Sequence, residues 1–382
     1  MRVAQVTYNE YRNYGNVLQK YALQKTLEKF ADFTEVLWFN DKNFWVEEDE
    51  VHKMTQWDPA YRPNQVYPQN WALYEAVRAT KIKEFDDRYI KTRFNLPYVE
   101  EIGDEYDFFV IGSDQVWHPQ NGGAMPPSLK FFPYFPRRKR IAYAASIAMP
   151  EIPDAYKEYY RQGIAGFDYV SVREEGAVKL IEELGLKTPQ LVLDPVFLLT
   201  RDEWLKIARR PTWFNEKYQR GYIFTYYLRN NPPPEIKNLA AELNLPVINL
   251  MDFNNFNHYI VGIEEFVFLI MNASMVFTNS FHGTVFTILF RRPLAVYENN
   301  DKATKSVSLR IPALLKTFGL KNRMARKENN FKIDSPLEID YSTRDKILPL
   351  EREKAFNFLA TALGVDVPQD TMKRGGGGNT TR

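Results

Sequence analysis

Apolar and polar residues alternate in blocks along the chain, and the blocks have two periods. Short apolar runs bounded by turn residues predict buried strands. They lie at residues 3–8, 107–111, 141–147, 169–172, 190–193, 222–227, 246–250, 275–277 and 294–297. Longer segments with apolar residues at helical spacing predict helices. These lie at residues 16–30, 71–91, 174–184, 201–208, 234–243, 263–272, 311–318 and 351–363.

This alternation of strand and helix predicts an α/β fold with parallel sheets covered by helices on both faces. One sheet rarely holds so many strands, so we expect two doubly wound, Rossmann-like domains facing a cleft. The strand pattern restarts after residues 195–200, which divides the chain into a first domain of residues 1–197 and a second of 198–366. Residues 41–70 show no period and predict a long loop or lid, and residues 367–382 predict a disordered tail.

Composition narrows the function classes. The 382 residues carry a formal net charge of +2, which gives no reason to expect nucleic-acid binding. The chain has no cysteine, and its four histidines show no metal-ligand spacing, so we expect neither disulfides nor a histidine-based metal site. No apolar run approaches the ~20 residues of a membrane span, and the first residues resemble a strand more than a signal peptide. A cytoplasmic protein is expected. A basic run at residues 137–140 fits either a solvated loop or peripheral contact with an anionic membrane.

Four loops that follow strands or open helices carry polar residues suited to ligand binding, because ligands of such sheets bind beyond the carboxyl ends of the strands. In the first, Asn13, Gly15 and Asn16 form either an anion-binding helix start or a simple turn with an asparagine cap. In the second, which also holds Gln115, Asp114 could orient a sugar hydroxyl and Trp117 could stack on a sugar face. The alternative is that Asp114 simply caps a helix.

The remaining two loops carry cations. Arg173 ends a predicted strand, where it could bind a carboxylate or phosphate, or form a salt bridge with Glu174 or another acid. The fourth loop, Ser280-Phe281-His282-Gly283-Thr284, lies between an apolar strand and a helix. A histidine at a helix start can meet an anion and move a proton, which suits a general acid. The alternative is a histidine hydrogen-bonded within its loop.

Taken together and in order, these loops resemble those of the polysaccharide pyruvyl transferase family. The resemblance spans residues 3–325. Its motifs are Gly-Asn-Val-Leu-Gln-Lys-Tyr-Ala-Leu-Gln from residue 15, Gly-Ser-Asp-Gln-Val-Trp from 112, Tyr-Ala-Ala-Ser from 143, Ser-Val-Arg-Glu-Glu from 171, Leu-Asp-Pro-Val-Phe-Leu-Leu from 193, Ser-Phe-His-Gly-Thr from 280 and Leu-Leu-Lys-Thr-Phe-Gly-Leu from 314.

The resemblance implies a GT-B-like arrangement and transfer of pyruvate from phosphoenolpyruvate to a hexose of a cell-surface polysaccharide or its lipid-linked precursor. It implies a cyclic ketal product, released phosphate and no further cofactor. The acceptor would lie on the first domain, with Asn13, Gly15, Asn16, Asp114, Gln115 and Trp117, and the donor on the second. A cytoplasmic enzyme at the inner face of the membrane would fit a lipid-linked acceptor.

For the donor, the resemblance implies Arg173, Ser280, His282, Gly283 and Thr284, with His282, Asp114 and Arg173 as catalytic residues. Some family members carry Arg-Leu-His where this chain has Ser280-Phe281-His282, and Arg310 is our candidate for the replacement cation. Two alternatives are a nucleotide-sugar glycosyltransferase of the same fold and a glycan-binding protein without turnover.

Overall fold

The computed structural model describes residues 1–39, 69–96, 99–119, 131–132, 139–228, 232–297, 310–325 and 337–369. Most of the predicted lid at 41–70, the tail from residue 370 and the start of the basic run at 137–140 lie outside these ranges. The described chain forms two parallel sheets.

The first sheet has seven strands in the order β3-β2-β1-β4-β5-β6-β7, all paired in parallel. The strands are β1 Arg2–Val6, β2 Phe33–Phe39, β3 Thr92–Leu96, β4 Phe108–Ile111, β5 Lys139–Ala145, β6 Tyr169–Val172 and β7 Gln190–Leu191. The order reverses between β1 and β4. A ligand site is expected at such a reversal, because the connections leave to opposite sides and open a crevice.

The second sheet has five strands in the order β12-β11-β10-β8-β9. They are β8 Ile223–Tyr226, β9 Val247–Leu250, β10 Met275–Thr278, β11 Leu294–Tyr297 and β12 Met324–Ala325. Its order reverses between β8 and β10, so the loop with His282 leaves the sheet at the second crevice.

Twelve α-helices cover the described sheets. In the first half they are α1 Tyr14–Leu27, α2 Trp71–Tyr89, α3 Asp154–Ala165 and α4 Glu175–Glu183. In the second half they are α5 Arg201–Leu205, α6 Glu216–Gln219, α7 Glu235–Glu242, α8 Phe256–Tyr259, α9 Ile263–Asn272, α10 Phe281–Leu289, α11 Arg310–Thr317 and α12 Ser342–Leu363. Short 3₁₀ helices lie at Val99–Glu105, Pro195–Leu198 and Lys321–Arg323.

The predicted fold class is confirmed: an α/β protein with two parallel, doubly wound sheets. The predicted strands at 169–172 and 294–297 and the helix at 263–272 have the observed bounds. Strands β2, β3 and β12 and helices α3, α6 and α8 were not predicted. β2 was missed although it is mostly apolar and pairs with β1, because its apolar run is interrupted by Thr34 and Glu35.

The last helix, α12, connects the two halves of the molecule. We expected it in the second domain, and its first half does pack there, with Leu348 in the core beneath the second sheet. Beyond Pro349, however, Phe356, Leu359 and Leu363 pack with β1 and β4 of the first sheet. The chain therefore crosses back to the first sheet at its end, and the boundary at residue 197 stays a prediction.

Candidate functional site

The loops after β1 and β4 are joined by hydrogen bonds at the first strand-order reversal. Thr7 Oγ1 donates to the Ser113 carbonyl at 3.1 Å, and the Tyr8 hydroxyl donates to the Gln115 carbonyl at 3.1 Å. At Gly112, φ is +120°, and a Cβ would lie 2.2 Å from the Tyr143 carbonyl oxygen, so a side chain is excluded there. The chain consequently turns sharply as it leaves β4 and brings Asp114 to the crevice.

Arg173, directly after β6, joins two carboxylates. Its Nη1 donates to Asp194 Oδ2 and its Nη2 to Asp114 Oδ1, both at 2.8 Å, and its side chain is 1% exposed. Both terminal nitrogens are thus occupied by carboxylates, as the salt-bridge alternative of the sequence analysis predicts. A direct anion clamp at Arg173 therefore has no support from this geometry, and the arginine holds Asp114 and Asp194 in place instead.

Both aspartates are kept ionised by this network. Burial favours the neutral acid, but His282, then Arg173 and the Val196 amide outweigh burial and lower the pKa of Asp194 to about 2. For Asp114 too, burial is opposed first by Arg173 and then by His282 and Arg310, and the pKa is lowered. Asp114 also has φ of +73°, an unfavourable conformation for a residue with a side chain, which places its carboxylate in a fixed direction.

His282 lies in the first turn of α10 and faces the first sheet. Ser280 caps this helix, accepting a hydrogen bond from the Gly283 amide at 3.3 Å. His282 Nε2 lies 3.6 Å from Asp194 Oδ2, which is too far for a hydrogen bond, and the two groups form an ion pair only when the imidazole is protonated. Among the residues that the structure describes, this buried nitrogen has no hydrogen-bond partner, and it is therefore available to a ligand.

Gly15 makes room for the histidine. A Cβ at residue 15 would lie 2.0 Å from His282 Nδ1 and 2.4 Å from its Cγ, so the imidazole lies directly against the Gly15 backbone. The Asn13 side chain caps α1 by accepting from the Gly15 amide at 2.9 Å. The glycine predicted to bring backbone amides to an anion thus also lets helix α1 of the first half touch His282 of the second.

The ring of Phe281 lies close to two arginines. The Arg173 Cζ atom is 4.6 Å from the ring centroid and the Arg310 Cζ atom is 5.1 Å away, both within cation–π range. Burial, then the neighbouring Arg173, lower the pKa of Arg310 to about 10 although three carboxylates oppose the shift. The candidate replacement cation is therefore at the site, beside Phe281 of the Ser-Phe-His-Gly motif.

The site as a whole combines three features: His282 with its unpartnered Nε2, Arg310 beside Phe281, and two ionised aspartates. Such a set can bind an anionic group near His282 and Arg310, and can donate or accept a proton there. Asp114, with one oxygen held by Arg173 and a side chain 11% exposed, can orient a hydroxyl group.

Two predicted site residues have side chains that turn away from the crevice. Trp117 is 0% exposed, its Nε1 donates to the Phe131 carbonyl at 3.3 Å and its ring stacks on Phe132, so the indole fills the core and cannot stack on a sugar. Thr284 is also 0% exposed, and its hydroxyl donates to the Ser280 carbonyl at 2.9 Å. Both side chains turn inward, so the stacking role of Trp117 has no support from this geometry and the donor-binding role of Thr284 stays a prediction.

The other predicted residues line the loops without a demonstrated contact to a ligand. Ser280 and Asn13 use their side chains as helix caps, and Gly283 packs against Thr278, where a Cβ would lie 2.6 Å from Oγ1. Asn16 is 2% exposed, and Gln115 is partly buried. Their ligand-binding roles stay predictions.

Sequence reasoning missed two acidic residues of this region. Asp194 lies in the Leu-Asp-Pro motif from residue 193 but was given no role in the site, although Asp-Pro after an apolar run marks a carboxylate at the edge of the sheet. Glu10 follows β1 in a loop that gave no motif, and burial and then Asp114 raise its pKa to about 7 despite three nearby cations. Only the fold brings both residues beside Asp114.

The described ranges contain neither a metal-binding cluster nor a membrane-spanning helix. No group of three or more histidine and acidic side chains there is placed to hold a metal ion. No described helix has the length and hydropathy needed to cross a membrane.

Comparison with known families decides the classification. The sequence model of the family described as polysaccharide pyruvyl transferase matches residues 13–301, which is most of the chain. The matched range contains Asp114, Arg173 and His282, whereas Glu10 and Arg310 lie outside it. This chain belongs to the polysaccharide pyruvyl transferase family. The resemblance inferred from the motifs is thereby confirmed, and so is membership of a transferase family acting in polysaccharide biosynthesis. No curated protein matches the chain significantly.

Solved structures of similar fold are distant in sequence. A UDP-GlcNAc 2-epimerase from Methanocaldococcus jannaschii shares 12% identity, with a TM-score of 0.42, over 92% of this chain and 99% of that one. The E. coli heptosyltransferase WaaC with ADP shares 12% identity, with a TM-score of 0.35, over 93% and 99%. A Thermobaculum terrenum O-GlcNAc transferase mutant shares 15%, with a TM-score of 0.38, over 97% and 65%.

Proposed function

We propose that this family member transfers pyruvate from phosphoenolpyruvate to a hexose of a cell-surface polysaccharide or its lipid-linked precursor, forms a cyclic ketal and releases phosphate. One observation supports the proposal above all. His282 and Arg310 lie next to the ion-pair network of Asp114, Arg173 and Asp194, between the two sheets. No resident cofactor is needed, and peripheral contact with a membrane would serve a lipid-linked acceptor.

The donor fits the cationic side of this site. Phosphoenolpyruvate carries a phosphate and a carboxylate, and His282 and Arg310 offer an open nitrogen and a guanidinium within one cluster. In the proposed reaction His282 gives a proton to the methylene carbon, or binds the phosphate as it leaves. Arg173 acts indirectly, by holding Asp114 and Asp194.

The acceptor fits the other side. An acceptor hydroxyl must approach the central carbon of the donor with a hydrogen-bond acceptor behind it, and Asp114 is fixed at the crevice between β1 and β4 for such a contact. Because Asp114 stays ionised, it can accept a hydrogen bond from a sugar over the whole neutral pH range.

Phosphate release from phosphoenolpyruvate tests the proposal. The wild-type protein is incubated with galactosides, glucosides and mannosamine derivatives, free and lipid-linked, and inorganic phosphate is measured over time. The proposal expects release that depends on one acceptor class. Nucleotide release from a nucleotide sugar instead would support a glycosyltransferase, and glycan binding with no release from any donor would support a binding protein.

A further inference from the structure

The aromatic ring of Phe281 contacts three groups on the cationic side of the site. The guanidinium carbon of Arg173 lies over the ring at 4.6 Å from its centroid, and that of Arg310 lies over it at 5.1 Å. The imidazole of His282 packs edge-on against the same ring, with 5.3 Å between the ring centroids and an angle of 87° between the ring planes. Phe281 is 9% exposed, so these contacts are largely shielded from water.

The backbone on both sides of Phe281 is fixed by hydrogen bonds. The Ser280 amide donates to Thr278 Oγ1 at 3.0 Å, and the Ser280 hydroxyl accepts from the Gly283 amide at 3.3 Å. Phe281 therefore opens helix α10 between the end of strand β10 and a capped first turn. Its ring consequently has a defined direction in the site.

The two arginines on the ring are held in different ways. Arg173 donates to Asp114 and Asp194, at 2.8 Å in each case, so its position does not depend on the ring. Arg310 is 6% exposed, and burial followed by the charge of Arg173 lowers its pKa to about 10. Two like charges thus approach each other here, and the electron-rich face of an aromatic ring attracts both of them.

We propose that Phe281 is a positioning residue of the donor site, whose ring holds the Arg310 guanidinium beside His282 for the anionic groups of phosphoenolpyruvate. The inference rests on the proposed pyruvyl transfer and deepens it. The phenyl ring has no hydrogen-bonding group of its own, so its effect on an anionic donor passes through the cation that it holds. The ion-pair network of Arg173 thereby continues through the ring to the arginine of the donor site.

The alternative is that Phe281 only fills the core, since it belongs to the same apolar cluster as Phe290. Phe290 directly follows the last residue of α10, is 3% exposed and packs on Phe286 at 5.7 Å between ring centroids. The same substitution at Phe290 removes a buried ring at the far end of the helix from His282. Phe290→Leu is therefore the matched control for Phe281→Leu.

The first test measures phosphoenolpyruvate binding to the full-length variants by isothermal titration calorimetry. Leucine keeps an apolar side chain but removes the aromatic face, so the Kd should rise about 5- to 30-fold in Phe281→Leu. In Phe290→Leu the Kd should change by no more than about twofold. Phe281→Tyr keeps the ring and should bind within about twofold of the wild type. If Phe281→Leu does not fold, Phe281→Met takes its place, because methionine is also apolar and not aromatic.

Phosphate release and urea unfolding separate positioning from general damage to the fold. With the acceptor that gives the most phosphate release, the KM for phosphoenolpyruvate in Phe281→Leu should rise by the same factor as the Kd. Its kcat should fall by about threefold at most, because a cation that binds the donor before and during the reaction acts mainly on KM. Both leucine variants should lose unfolding free energy, and only Phe281→Leu should lose donor affinity.

A double-mutant cycle tests whether the effect passes through Arg310. Arg310→Ala should raise the Kd for phosphoenolpyruvate about 10-fold or more, because a charged contact to the donor is lost. Adding Phe281→Leu to Arg310→Ala should then raise the Kd by no more than about twofold further. A ring that only fills the core, or that contacts the donor directly, would weaken binding by the same factor in both backgrounds.

The outcomes separate this inference from the proposed function. If the wild type transfers pyruvate but Phe281→Leu keeps its affinity, or the effects of the two substitutions add, Phe281 does not position Arg310 and the proposed function stands. Equal weakening in Phe281→Tyr and Phe281→Leu, or unchanged affinity in Arg310→Ala, would also overturn the role of the ring. If the wild type releases no phosphate from phosphoenolpyruvate with any acceptor, the proposed function itself fails.

Discussion

At the scale of single residues, Gly15 and His282 form a close contact between the two halves of the molecule. The imidazole occupies the space that a side chain at residue 15 would need. The position of His282 relative to Asp194 consequently depends on a residue with no functional group of its own.

We expect Gly15→Ala to impair both stability and activity. Its Cβ would lie 2.0 Å from His282 Nδ1, so the histidine or helix α1 must shift, at a cost of roughly 1–3 kcal/mol in unfolding free energy. Gly176→Ala, in helix α4 with nothing within 4 Å of the added Cβ, is the control and should be neutral or stabilising. Urea unfolding and phosphate release measure the two effects, and equal behaviour of both variants would contradict the described contact.

His282→Gln should lower kcat by ~10²–10⁴-fold, because glutamine cannot deliver a proton to the methylene carbon. The structure supports this expectation, because His282 Nε2 lies near Asp194 and has no hydrogen-bond partner among the described residues. Circular dichroism and the melting temperature establish that the variant is folded. Near-wild-type turnover in the folded variant would remove His282 from the proton-transfer step.

Asp194→Asn tests the network beneath the site. An ionised Asp194 with its pKa lowered to about 2 contributes stability that is full above pH 4 and is lost as the pH falls through about 2. Removing this charge leaves Arg173 without one of its buried partners and should cost on the order of 3 kcal/mol at pH 7.

Urea unfolding of Asp194→Asn and wild type at pH 7 and pH 3 measures this contribution. The difference in unfolding free energy between Asp194→Asn and the wild type should be smaller at pH 3 than at pH 7. Asp202→Asn, at an exposed position of α5, should have the unfolding free energy of the wild type at both pH values. A difference that does not narrow would show that Asp194 is not held ionised by its neighbours.

At the scale of elements, the sequence predicted most strands and helices because each buried element carries a clear apolar period. It placed Arg173, Asp114 and His282 at the ends of strands, and the structure brings these ends together. It could not tell that Trp117 turns inward, because an aromatic residue in a polar loop fits either the core or a ligand. Glu10 could not be found, since only the parallel pairing of β1 with β4 puts its loop beside Asp114.

Because the Trp117 side chain is fully buried, we expect its removal from the loop after β4 to destabilise the fold. Trp117→Ala should lower the unfolding free energy by about 3–5 kcal/mol, because a fully buried indole is lost. Gln115→Ala, on the same loop but partly exposed, should leave stability unchanged. Wild-type stability of Trp117→Ala together with a raised KM for the acceptor would restore the sugar-stacking prediction.

At the scale of the whole molecule, the two sheets are joined both by the site and by structures away from it. Helix α12 packs with both cores, and Tyr14 of α1 stacks on Phe266 of α9 at 4.9 Å and donates to the Val261 carbonyl. Ion pairs such as Arg88 with Glu264 add to this contact. The site is consequently completed from both halves, which agrees with a reaction that joins two substrates.

Pyruvyl transfer is defined by the chemical nature of its product, and one measurement reports that product directly. Phosphoenolpyruvate labelled with ¹³C at its central carbon is incubated with the protein and the acceptor panel, and the products are followed by NMR. We expect a labelled carbon bonded to a methyl group and to two sugar oxygens, formed in equal amount with phosphate. Unchanged phosphoenolpyruvate with every acceptor, or a labelled carbon attached through one oxygen only, would contradict it.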